Sequence, residues 1–79
     1  MATELIMEYD DVGDTLYLGK GAPYPEQESE ELDYGIIARV NPVTHEVENL
    51  EILFFRQRLA RGEVFHLPIL AQFHLAESV

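Results

Sequence analysis

Residues 34–55 read Tyr34-Gly35-Ile36-Ile37-Ala38-Arg39-Val40-Asn41-Pro42-Val43-Thr44-His45-Glu46-Val47-Glu48-Asn49-Leu50-Glu51-Ile52-Leu53-Phe54-Phe55. The first seven read as a strand, and Asn41-Pro42 suits positions i and i+1 of a type I turn. A second strand, from about Val47 to Leu53, places Leu50, Ile52 and Phe54 on one face. Near Phe54 the period changes. Phe55 and Leu59 lie four apart among the helix-favouring Gln57, Arg58 and Ala60, and Gly62 is placed to end a helix. This stretch predicts two antiparallel strands and then a short helix over about 54–61, lying on the apolar face of the sheet. Arg58 and Arg61 in its last turn suit the negative end of the helix dipole.

Towards the N-terminus, Leu5, Met7 and Tyr9 alternate with Glu8 at strand period. Asp10-Asp11-Val12-Gly13-Asp14 carries turn chemistry, and Thr15-Leu16-Tyr17-Leu18 follows as a β-branched and aromatic run, so residues 5–19 read as a hairpin. Residues 20–33 hold Gly21, Pro23 and Pro25, then five acids in the eight positions from Glu26 to Asp33. That composition reads as a solvated loop. In the C-terminal stretch every odd position from Phe65 to Leu75 is apolar (Phe65, Leu67, Ile69, Ala71, Phe73, Leu75). Strict period 2 over eleven residues points to a strand, at an edge or broken at Pro68, which has no N–H to donate. A helix beginning at Pro68 is the competing reading, since proline fits a first helical turn. The expected class is α+β: a small antiparallel sheet of about four strands, then a short helix and a C-terminal strand or arm. Residues 1–79 form a single domain, with 20–33 a loop and 63–79 a C-terminal extension.

Composition narrows the functions. The chain has 79 residues, 47% hydrophobic, with neither Cys nor Trp and a formal net charge of −10. A chain this short buries only roughly 60–65% of its unfolded surface, so packing against a second copy is an expected supplement to a small core. Without thiols there is no disulfide, thiolate zinc site or cysteine nucleophile. The acids concentrate in residues 1–55, which carry a net of −11, while residues 56–79 carry +1. So negative a surface repels nucleic-acid backbones and anionic membrane leaflets. No basic leader or long apolar run opens the chain, and the expectation is a soluble cytoplasmic protein. The acidic half leaves a basic protein as a possible partner.

Residues 9–18, Tyr9-Asp10-Asp11-Val12-Gly13-Asp14-Thr15-Leu16-Tyr17-Leu18, resemble the opening signature of a bacterial family. In it a Tyr-Asp pair is followed, a few residues on, by Asp or Ala and a Leu-Tyr strand. Gly35-Ile36-Ile37 and Leu50-Glu51-Ile52-Leu53 resemble its third and fourth strands. The family is the domain of unknown function numbered 2283, and the resemblance covers roughly residues 5–59. It implies a small antiparallel sheet closed by a helix, and no activity, since none is assigned to that family. Two departures stand out. Asn41-Pro42-Val43-Thr44-His45 replaces the usual Asp-Gly-type turn, and residues 62–79 extend past the usual end.

Few residues carry chemistry. Asp10, Asp11 and Asp14 offer clustered oxygens to a hard cation, but the EF-hand spacing fails, and capping of their own turn is the simpler role. His66 and His74, about 26 Å apart on one extended strand, cannot share an ion within a chain, although symmetry mates could bring copies together and the helical alternative removes the distance argument. There is no phosphate-binding glycine loop and no serine elbow. Arg56, Arg58 and Arg61 form one basic cluster able to clasp an anion, or else to pair with nearby acids. The expectation is a non-enzymatic homodimer or higher homo-oligomer, or protein-interaction module, without cofactor or metal. Its interface candidates are Phe65, Leu67, Ile69, Phe73 and Leu75. The alternative is a small metal- or ligand-binding protein or enzyme using Asp10, Asp14 or interface histidines.

Overall fold

A computed structural model describes residues 4–76. Among these residues five strands, β1 (Ile6–Asp10), β2 (Thr15–Gly19), β3 (Glu28–Asp33), β4 (Ile36–Val40) and β5 (Val47–Leu53), precede one helix, α1 (Phe55–Ala60). All pairings are antiparallel, and the order across the sheet is β1-β2-β5-β4-β3. The β3–β4 hairpin therefore lies beyond β5 instead of following β2 in a simple meander.

The strand count corrects the expectation of about four. Residues 28–33, read as part of a loop, form β3 at the edge of the sheet. An edge strand pairs on one side only, so Glu28, Glu30, Glu31 and Asp33 keep their charges in water while the main chain bonds to β4. Composition was outweighed by pairing. Arg39 on β4 holds the edge further, donating Nη1 to the Ser29 hydroxyl and Nε to Glu51 at 2.8 Å.

The registers set Leu16 opposite Ile52 and Ile52 opposite Ile36, with Leu18, Leu50 and Ala38 continuing the same face. Leu16, Ile36 and Ile52 are the buried cluster, and Leu18, Leu32, Phe55, Phe65 and Leu67 pack against it. The helix begins abruptly. Phe54 sits in the left-handed region (φ 58°) and turns the chain from β5 into α1. A bulky residue there carries strain, and its ring lies stacked on Tyr34 at 5.9 Å. The expected helix over 54–61 is shorter by one residue at each end.

The helix ends in a Schellman motif. The Gly62 N–H (φ 69°) donates to Leu59 O at 3.0 Å, and the Glu63 N–H to Arg58 O at 3.1 Å. Beyond it, residues 64–76 form neither the expected strand nor the alternative helix: the chain takes no regular secondary structure and joins no ladder among the described residues. The reason is position. The segment crosses the face of the sheet above Leu16, Ile36 and Ile52, where main-chain groups are already paired within the sheet, so it docks by side chains alone. Alternation survives as far as Ile69: Phe65, Leu67 and Ile69 are half-buried, and Val64, His66, Pro68 and Leu70 are exposed. A tight turn about Pro68 closes with the Ile69 N–H donating to Leu67 O at 2.7 Å. After it, Ala71 through Ala76 are all exposed. No helix among the described residues is long and apolar enough to cross a membrane.

Candidate functional site

Asp14 is the first of the sequence-chosen residues to find a role. Its backbone takes the left-handed conformation (φ 51°), and its Oδ1 accepts from the Tyr9 hydroxyl at 2.6 Å and from the Arg56 N–H at 2.7 Å. The Phe55 N–H donates to the Asp14 carbonyl at 3.0 Å. Helix α1 lacks a cap from its own Phe54, so the β1–β2 turn supplies one across the molecule. The Tyr9 hydroxyl, then the Arg56 N–H, hold the Asp14 carboxyl below its ordinary pKa, and the same bond raises Tyr9. Asp10 caps its own turn, accepting from the Val12 N–H at 3.1 Å. Among the described residues no group of three His, Asp or Glu side chains converges as a metal site would require.

The three arginines separate. Arg56 lies over the Tyr9 ring, 5.6 Å from its centroid. Arg58 points inward and is 8% exposed. Its Nε donates to Leu53 O at 2.9 Å, Nη2 to Tyr34 O and Nη1 to Glu63 Oε1 at 3.1 Å, with the guanidinium 5.7 Å from the Phe65 ring centre. One side chain thus ties the end of β5, the β3–β4 turn, the helix and the C-terminal segment together. Gly35 makes room for it: its φ is 73°, and a Cβ there would meet Arg58 Nη2 at 2.8 Å. Arg61 Nη2 pairs with Glu63 Oε2 at 2.6 Å. Arg61, followed by Arg58, depresses the Glu63 carboxyl. Arg58 and Arg61 line one shallow groove of about 450 Å³ with Asp33, Tyr34, Phe54 and Gln57. Since Glu63 already engages both guanidiniums, the groove offers an anion less than the sequence cluster implied.

A polar network that sequence reading missed pins the 20–27 loop to β5. The Tyr24 hydroxyl donates to Glu48 Oε1 at 2.6 Å, and buried Gln27 donates to Glu48 and to buried Asn49 at 3.0 and 2.9 Å. Asn49 Nδ2 in turn donates to Gly21 O at 2.6 Å, and Asn41 Nδ2 to Glu48 at 3.2 Å. Tyr24, Gln27 and Asn41 together hold the Glu48 carboxyl low. Every member has a partner within the network, which makes it a fastening for the loop.

The interface candidates divide. Phe65 and Leu67 pack on the molecule's own core, Phe65 stacked 6.5 Å from Phe55, and Ile69 is half-buried. Phe73 and Leu75 stand in water, 81% and 91% exposed. His66 and His74 are exposed, and His45 occupies the Asn41–Glu46 turn at φ 64°. Residues 64–76 contain no Asp, Glu, Lys or Arg, in a chain whose formal net charge is −10. No protein-family model, no curated protein and no solved structure matches the chain.

Proposed function

We propose that this protein is a non-enzymatic, self-associating interaction module whose C-terminal arm makes the contact between copies. The observation that carries this is the arm itself. Phe73 and Leu75 project into water from an uncharged segment that joins no helix or ladder, while the preceding Phe65 and Leu67 anchor that segment to the body. Burying two such side chains is worth about 1.5–3 kcal/mol each, which favours a partner surface over solvent. The resemblance to family 2283 stands beside this reading as a proposed kinship and adds no activity. Light scattering on the intact protein at tens of micromolar tests it. The expected mass is a multiple of 9.0 kDa, falling to the single-chain mass in the Phe73→Asp/Leu75→Asp double variant, which should still unfold cooperatively on heating. A wild-type protein that stays at the single-chain mass refutes the proposal.

A further inference from the structure

The arm needs an acceptor, and the sheet presents two open edges. We infer that the arm of one copy, residues 70–76, adds as a sixth strand to the β1 edge of a second copy, a step that rests on the self-association proposed above.

The two edges differ in kind. β3 carries Glu28, Glu30, Glu31 and Asp33 in six residues, a row of charge that repels further strands in so acidic a protein. All five residues of β1 are exposed, including Ile6 at 53% and Met7 at 69%, and β1 pairs only with β2. Its outward N–H and C=O groups have no ladder partner among the described residues. Two β1 strands pairing about their middle residue would set Glu8 against its own counterpart, a like-charge contact. The arm avoids that cost because it carries no formal charge.

Side-chain parity fits the same partner. Met7 and Tyr9 lie opposite Leu18 and Leu16, on the face that bears the core. An added strand with Phe73 and Leu75 on that face extends its apolar surface beyond β1. Gln72 and His74 then fall on the opposite face beside Glu8 and Asp10, where an imidazole meets acids, and the arginine on that face, Arg39, is paired with Glu51 at 2.8 Å. The seven-residue arm spans the five-residue strand, and a two-fold axis makes the exchange reciprocal, so each copy gives one arm and receives one.

Hydrogen exchange at two protein concentrations reads the acceptor directly in the unaltered chain. As copies associate, the outward amides of residues 6–10 and the arm's amides should gain protection together, while residues 28–33 stay unchanged. Because the chain has no cysteine, a second assay is clean: Met7→Cys chains mixed with Phe73→Cys chains should form the crossed disulfide in preference to either self-pair. Association with protection on residues 28–33, or on the arm without β1, overturns the inference yet leaves self-association standing. So does a second assay in which the Phe73→Cys chains couple exclusively to one another. Absence of association under both conditions overturns this inference and the proposed function alike.

Discussion

Replacing Arg58 by methionine tests whether one guanidinium holds the fold's corner together. Met keeps much of the apolar stem and removes every donor. Leu53 O then loses its bond from Nε, Tyr34 O its bond from Nη2, and Phe65 the cation over its ring. A buried carbonyl left without a donor costs about 1–3 kcal/mol; Tyr34 is exposed, so water can replace its lost bond and that loss lies at the low end. Together the two carbonyls put the cost at about 2–4 kcal/mol. A chain of this length has only about 4–12 kcal/mol of total stability, so the loss removes a large share. The melting temperature should fall by about 10–30 °C, at roughly 4–8 °C per kcal/mol. Urea denaturation followed by circular dichroism supplies the free energy, and thermal melts supply the shift. Arg58→Lys keeps a cation without the forked donors and should fall between the two. An Arg58→Met protein within about 0.5 kcal/mol of wild type, the range of an ordinary surface change, would refute the reasoning.

Acid should destabilise the protein through three carboxyls. Asp14, Glu48 and Glu63 are each held below their ordinary values, so their stabilising effect is present above about pH 4 and is lost as pH falls through the folded-state values. Asp14→Asn keeps a capping oxygen but cannot titrate, and melts from pH 6 to 2 should show a shallower acid decline than wild type. Gly35→Ala forces an L-residue into φ 73° against Arg58, a loss of about 1–2 kcal/mol by denaturation before the clash is counted. Phe65→Ala should cost about 2 kcal/mol, below the fully buried range because the ring is half-exposed, and should leave the sheet's circular dichroism intact. Neutralising the β3 edge with Glu28→Thr, Glu30→Thr and Glu31→Thr should raise the mass seen by light scattering above that of wild type, and an unchanged mass would count against charge as the edge's protection.

Much of the fold was legible because local chemistry and tertiary pairing agree along most of the chain. Leu16-Tyr17-Leu18, Ile36-Ile37-Ala38 and Leu50-Glu51-Ile52 alternate or run apolar at strand spacing, Asn41 caps its turn through Val43 N–H at 2.8 Å, and Gly62 ends the helix as its position implied. These depend on neighbours within a few residues. Where the structure departed, distant partners decided. Glu28–Asp33 has the composition of a loop and becomes a strand because β4 offers an unpaired ladder at the rim, where charge stays hydrated. Residues 65–75 have the period of a strand and form none, because they lie over a face whose main chain is already bonded. Among the site residues, the uncharged, alternating arm was visible in the sequence, since periodicity and charge are local properties. That Asp14 caps a helix 42 residues away, and that Arg58 turns inward to two carbonyls while Arg56 and Arg61 stay outside, was not. Cap and carbonyls belong to segments that meet only when the sheet has closed, and spacing along a chain carries no record of what lies across from it.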